Sequence, residues 1–388
     1  MNEKNLNLIY IALLSYFSFL ISVFFIFPFS LLSDITSSEF LTGFYTLRGD
    51  VEIYLEMASG NFDVIEPYRF RILVPLLTYF FHTLFNIEVV PLFIFINSLF
   101  LASTSILLYF YLDSFDFSLN ERFLGSILFL LSSSVIRTSS FAVLEPATYF
   151  FAILIISSLK IKNYYLFLGS LILGILVKEL LIIFIFVFLI TYEWKKDFKT
   201  ILIPVSITIF IVIFFSFERL LLGGDFGELS YGYNILAGQF PAYYQKLFNI
   251  GRLINWIFLV FITFNFMWYG LFTVWKDKFL FKSAIVIPIA IIAQLFLASR
   301  VERNIFVVFP IIIPTFIILF RALTRNEDIL PSTTEKIKFL SYLPSSITTY
   351  IEKFFHWVNR NSITIMILLF ILTFIPQSFF ILRQFYGF

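Results

Sequence analysis

Long apolar runs broken by short polar stretches make up most of the chain. The clearest cover residues 6–32, 89–112, 123–140, 147–159, 164–177, 180–192, 201–217, 253–274, 284–297, 305–320 and 363–382. Several reach the ~20 residues that a helix needs to cross a ~30 Å hydrocarbon layer. Alternating polar and apolar strands are absent, which removes a membrane β-barrel from consideration. The pattern predicts an all-α polytopic membrane protein, read as one integral-membrane domain over residues 1–388. The run at 72–85 is apolar but short and holds Pro75 and His82, so it reads as a crossing helix or as one lying in the interface.

Composition supports this reading. With 60% hydrophobic residues and a mean hydropathy of +0.94, the chain carries more apolar surface than a soluble domain can hide. There are no cysteines, which excludes disulfides, thiolate metal sites and a cysteine nucleophile. The two histidines, His82 and His356, are far apart, which excludes a histidine-rich metal cluster. The first apolar run is too long for a signal-peptide core and lacks a small-residue cleavage site, so it is expected to remain as a helix. The net charge of +2 says little about partners, and none of the features predicts a nucleic-acid partner.

The distribution of charge sets an orientation. Lys160/Lys162, Lys195/Lys196/Lys199, Lys276/Lys278/Lys282 and Arg321/Arg325 with Lys336/Lys338 form basic connections, which belong in the cytoplasm together with Lys4. Working outward from these places Asp50 and Glu145 on the opposite side and allows one crossing between Arg71 and Asp113. The run at 72–85 is then an interfacial helix, and about eleven transmembrane helices are expected (range roughly nine to thirteen), with the N-terminus inside and the C-terminus outside. Residues 34–88 form an external loop with an acidic motif and the interfacial helix, 218–251 a second external loop, and 321–361 a cytoplasmic segment. The expected location is the inner (plasma) membrane, multi-pass.

Only 13% of residues are charged, and the external side collects acids and arginines together. The insertion rule alone would not produce that mixture, which suits an anion-binding and acid–base chamber. Asp50-Val51-Glu52 reads as ordinary loop acids, as a general base with a partner, or as a pair of oxygen ligands for Mg²⁺ or Mn²⁺. Tyr68-Arg69-Phe70-Arg71 reads as an aromatic–basic interface anchor or as arginines gripping a phosphate. Glu145-Pro146 reads as a helix start, with an acid at the positive end and proline in the first turn, or as a second acid in the chamber. Lys178-Glu179, at the tip of two short helices, reads as a buried ion pair with another helix or as a functional pair. Arg300 and Arg303 belong to a short external turn or hold a phosphate. Tyr231, Tyr233, Tyr243 and Tyr244 suit interfacial anchoring or sugar stacking.

Asp50-Val51-Glu52 just after the first helix, followed by Pro67-Tyr68-Arg69-Phe70-Arg71-Ile72-Leu73-Val74-Pro75, resembles the GT-C superfamily of membrane glycosyltransferases. The similarity extends to the protein O-mannosyltransferases, the aminoarabinose transferases of lipid A, and bacterial members with a PYR-x-R-x-L-x-P run. Glu145-Pro146 and Lys178-Glu179 are similar to that bacterial set. The resemblance covers roughly the first 190 residues and the general layout. It implies inverting transfer from a polyprenyl-phosphate-linked sugar to a lipid, glycan or protein acceptor, at a site facing the periplasm or exterior. Asp50 would be the base with Glu52 its partner, and Glu145 the second acid. Arg69, Arg71, Lys178, Arg300 and Arg303 would hold donor phosphate, and Glu145 and Glu179 would meet the acceptor or position the cations. The chain is shorter than many members, and no soluble C-terminal domain is expected after the helices, which leaves the acceptor open. A transporter or flippase for a lipid-linked saccharide, a polysaccharide polymerase or ligase, and a non-catalytic scaffold are the rival classes. A transporter would want ionisable residues at mid-membrane and an internal repeat, and no repeat is visible.

Overall fold

The computed structural model describes residues 3–24, 45–64, 67–139, 141–192, 250–297 and 301–325, with scattered positions within 204–217 and at 353 and 360. Every regular element among them is helical. In order these are α1 (Glu3–Phe24), α2 (Tyr45–Ala58), α3 (Leu73–Phe85), α4 (Val89–Asp113), α5 (Leu119–Leu130), α6 (Ser133–Thr138), α7 (Glu145–Lys160), α8 (Tyr164–Ile175), α9 (Phe184–Thr191), α10 (Ile250–Phe264), α11 (Lys278–Ser283), α12 (Val286–Leu297), α13 (Val301–Ile305) and α14 (Phe309–Thr324). Tight 3₁₀ turns occupy Tyr68–Phe70, Glu179–Ile183, Asn265–Lys276 and Phe306–Val308.

Among the described residues, four stretches are helical, long and apolar enough to cross a membrane: Asn5–Ser22, Val89–Asp113, Trp256–Lys276 and Arg303–Thr324. Leu73–Phe85, Tyr164–Ile175 and Glu179–Thr191 are apolar but shorter. The described chain is thus that of a helical membrane protein. Arg300, the loop at 218–249, and the segments at 326–352 and 361–388 lie outside the described residues, as do the four tyrosines of that loop.

The described residues fall into two compact units, Met1–Thr263 with Ile285–Pro310, and Phe264–Ala284 with Ile311–Phe388. In the first, α4 is the hub and packs against α1, α3, α5 and α7. Its buried residues Leu92, Phe93, Ile96, Leu101, Thr104, Ser105, Leu108 and Leu112 recur every three to four positions and form one face. The opposite face exposes Phe95, Leu99 and Phe110, as a helix does when its solvent is hydrocarbon. Small residues let α1 approach closely: Ser18 and Ser105 lie with hydroxyl oxygens 3.2 Å apart, and Ser18 also donates to the Leu14 carbonyl at 2.7 Å.

The structure departs from the sequence reading in two places that matter. The segment at 123–140 is not one helix. It breaks at Leu131–Ser132, where the Ser132 hydroxyl caps α6 by accepting from the Val135 N–H. The stretch holding Asp50 and Glu52 is not a loop but the middle of α2. Asp50, Tyr54, Met57 and Ala58 turn to the inside of α2 at helical spacing, and Gly60, with φ +103°, ends it.

In the second unit, the Thr273 hydroxyl donates to the Thr315 carbonyl at 2.8 Å. Beside it, a Cβ at Gly270 would stand 2.4 Å from the Phe316 backbone nitrogen. Backbone cannot yield as a side-chain tip does, so Gly270→Ala is expected to cost about 1–3 kcal/mol or more. The thermal midpoint of the detergent-solubilised protein reads this directly, and a variant that melts with the wild type contradicts the close approach.

Candidate functional site

Glu145 sits at the start of α7, behind a loop that one buried side chain locks. Asn97 of α4 donates through its amide to the carbonyls of Phe141 (3.0 Å) and Val143 (2.9 Å). This satisfies two carbonyls that a buried loop would otherwise leave orphaned and fixes where α7 begins. One turn along α7 from Glu145, Tyr149 packs on Phe306 with ring centroids 5.0 Å apart, and Phe129 packs on Phe309 at 4.7 Å. These aromatic contacts hold the 306–309 segment beside α7 and bring Arg303, one turn earlier, opposite Glu145.

Arg303 closes on Glu145 Oε1 through Nε at 2.9 Å and Nη2 at 2.5 Å, and donates through Nη1 to Asp50 Oδ2 at 3.1 Å. Lys178 reaches the same Glu145 oxygen at 3.1 Å. Lys178 gets there because the chain leaves helical geometry between α8 and the 3₁₀ turn at 179–183, with Lys178 extended at φ −160°. Adjacent residues in such a turn diverge, and Glu179 pairs elsewhere. Its two oxygens accept from Arg71 Nη2 (2.8 Å) and Nε (2.9 Å), a bidentate fork. The Leu73 N–H donates to the Leu176 carbonyl at 3.1 Å and ties the Arg71 turn to that break.

Asp50 completes the cluster. Its Oδ1 accepts from the Tyr68 hydroxyl at 2.6 Å. Tyr54, one turn along α2, accepts at its hydroxyl from Arg71 Nη1 at 3.1 Å. Ion pairs join Lys178, Glu145, Arg303 and Asp50 in one group and Arg71 with Glu179 in another, Tyr54 and Tyr68 bridge the two, and the formal charges of the three acids and three cations cancel. Side-chain exposure grades across the group: 2% for Glu145, 6% for Arg303 and 11% for Lys178, against 23% for Asp50 and 27% for Glu179. The deep end is a closed ion-pair lock, and the open end presents carboxylates.

Electrostatics follow the packing. Burial pushes the Tyr54 phenol up, with the Arg71 guanidinium pulling against it. For Lys178, burial pushes the ammonium down, and Glu145 opposes that while Arg303 and Arg71 add to it. Burial also works against the charge on Arg71, but the Glu179 carboxylate outweighs it and holds the guanidinium above its ordinary value.

The structure thus brings together Asp50, Glu145, Arg71, Lys178, Glu179 and Arg303. Arg69 is on the same turn as Tyr68, and its Nε donates to the Val64 carbonyl at 3.3 Å. Glu52 does not join. Two positions apart on a helix, residues point about 200° from one another, so Glu52 stands exposed while Asp50 faces the cluster. The Asp50/Glu52 pair therefore does not converge on one Mg²⁺ or Mn²⁺, and among the described residues no three acids or histidines gather as a metal site needs. Glu52→Gln is accordingly expected to leave stability within about 0.5 kcal/mol of wild type, as changes at exposed positions usually do, and any Asp50-dependent turnover within about twofold. A large loss would restore Glu52 to the site.

Sequence reasoning gave Tyr54 and Asn97 no part, and read Tyr68 only within an aromatic–basic interface anchor. The signal for Tyr54 was its spacing of four from Asp50, which is informative once the stretch is read as helix. Comparison of the chain with protein-family models, curated proteins and solved structures finds no match.

Proposed function

We propose that the protein is a membrane glycosyltransferase that moves a sugar from a polyprenyl-phosphate-linked donor to an acceptor hydroxyl, with inversion. The observation that carries this reading is Asp50: a partly open carboxylate, held at both oxygens, at the accessible edge of a charge-balanced cluster. Asp50 takes the proton of the acceptor hydroxyl, and the acceptor oxygen attacks the anomeric carbon. The bond from that carbon to the phosphate oxygen breaks, and polyprenyl phosphate leaves. A single carboxylate base and a good leaving group are enough for inversion. Arg71 and Arg69, on the turn nearest the open carboxylates, are the cations that offset the phosphate charge. Arg303 and Lys178 act from below by holding Glu145 and Asp50. In this reading about eleven helices cross the membrane and the cluster faces the exterior, opposite the basic connections.

The break at Lys178-Glu179 also suits a transporter of a lipid-linked saccharide, since discontinuous helices line such paths. One experiment separates the two. Purified protein is supplied with a polyprenyl-phosphate sugar, and release of polyprenyl phosphate is followed with a panel of acceptors. Turnover supports the transferase, whereas saturable binding with no release under any acceptor favours the transporter.

A further inference from the structure

We infer that Tyr68 is a positioning residue for Asp50, an assignment that rests on Asp50 being the base. The geometry is a contest between two donors. Arg303 pulls Asp50 Oδ2 at 3.1 Å and is itself buried and anchored on Glu145, so its pull is toward the closed end of the cluster. Tyr68 holds Oδ1 at 2.6 Å from a partly exposed 3₁₀ turn. A carboxylate offers about four lone-pair sites, so with one taken on each oxygen, one on each remains for an acceptor hydroxyl. Without the phenol, Arg303 alone among the described residues would orient the group.

Tyr68 is built to stand still. Its ring meets that of Tyr54 edge-on, with centroids 5.5 Å apart, and the Arg71 guanidinium carbon lies 5.5 Å from its centroid. Arg71 is fixed in turn by the Glu179 fork and the Tyr54 hydroxyl. A chain of contacts therefore runs from the helix break at 178–179 through Arg71 and the Tyr68 ring to the base. A displacement on the scale of 1 Å at a reacting group can cost about a hundredfold in rate, so the phenol oxygen is expected to matter although it need touch no substrate.

The test is Tyr68→Phe, which removes one oxygen and keeps the ring and its packing. Its kcat is expected to fall about ten- to a hundredfold with KM within about threefold, and it is expected to cause no further loss in an Asp50→Asn background, because residues that act as a unit are not additive. An equal loss in both backgrounds, or none in either, overturns the assignment. A second arm needs no substrate: labelling of Asp50 by dicyclohexylcarbodiimide, read by peptide mass spectrometry with Asp50→Asn as blank. Freed of its hydrogen bond, Oδ1 is expected to react several-fold faster in Tyr68→Phe, and equal labelling rates overturn the contact. Turnover that survives Asp50→Asn sinks the assignment of the base, and with it the positioning role. Unaltered labelling together with a dead Asp50→Asn sinks the Tyr68 assignment and leaves the base standing.

Discussion

Glu145→Gln is expected to destabilise the protein by about 3–5 kcal/mol, the cost of leaving a buried charge without its partner. One oxygen of Glu145 accepts from both Lys178 and Arg303, and all three side chains are nearly or fully enclosed. The amide has the same shape and its oxygen can still accept, but it carries no charge, so two buried cations lose the carboxylate that balances them. Arg303 keeps Asp50 as a partner, so most of the strain falls on Lys178. Adding Lys178→Met to Glu145→Gln should therefore recover part of the loss, which the sum of the two single variants would not. Thermal midpoints in detergent at a fixed scan rate measure this, since unfolding of such a protein is read as an operational rate. A Glu145→Gln protein as stable as wild type would mean the cluster is wetter than its packing implies. The Arg71–Glu179 pair, with side chains 17% and 27% exposed, should cost less when broken, because water screens it.

Asp50→Asn is expected to cost less stability than Glu145→Gln, because position 50 is partly open, and to lose about 10²–10⁴-fold in turnover, the range a positioned general base contributes. Asn still offers an oxygen to Tyr68, and Arg303 keeps its two bonds to Glu145, so the lock at the closed end survives. What is lost is the ability to take a proton. Release of polyprenyl phosphate from a lipid-linked sugar measures it, with Glu52→Gln as the matched control on the same helix. Transfer that persists in Asp50→Asn would exclude Asp50 as the base.

The two variants probe different parts of one cluster, and that division was only half legible in the sequence. That residues 89–112 form a long apolar helix could be read from the sequence, though not that it is the hub, and that Glu145-Pro146 starts a helix follows from the helix macrodipole and the preference for proline in the first turn. The helix around Asp50 was hidden. Arg48-Gly49-Asp50 carries glycine and aspartate, the residues of turns, and glycine costs a helix interior about 1 kcal/mol. Packing of Tyr54, Met57 and Ala58 into the core overrides that preference. The break after α5 had a signal in Ser132-Ser133-Ser134, since serine favours N-caps, but the apolar run on both sides masked it. The two misreadings have opposite causes: around Asp50 the burial of a few side chains outweighs local propensity, whereas at Ser132 a local capping preference interrupts an unbroken apolar run.

What the sequence determined by itself is the material: helices, an apolar exterior, and a small set of acids and cations kept in a chain that can ill afford charge. The tertiary structure decided who pairs with whom. Lys178 and Glu145 are 33 residues apart, Arg71 and Glu179 are 108, Glu145 and Arg303 are 158, and Asp50 and Arg303 are 253. Periodicity is local, so it tells which face of a helix a residue occupies but not which distant helix end will meet it. Two neighbouring acids, Asp50 and Glu52, read in the sequence as a base and its partner, and the 100° step of a single helix put one in the cluster and the other outside it.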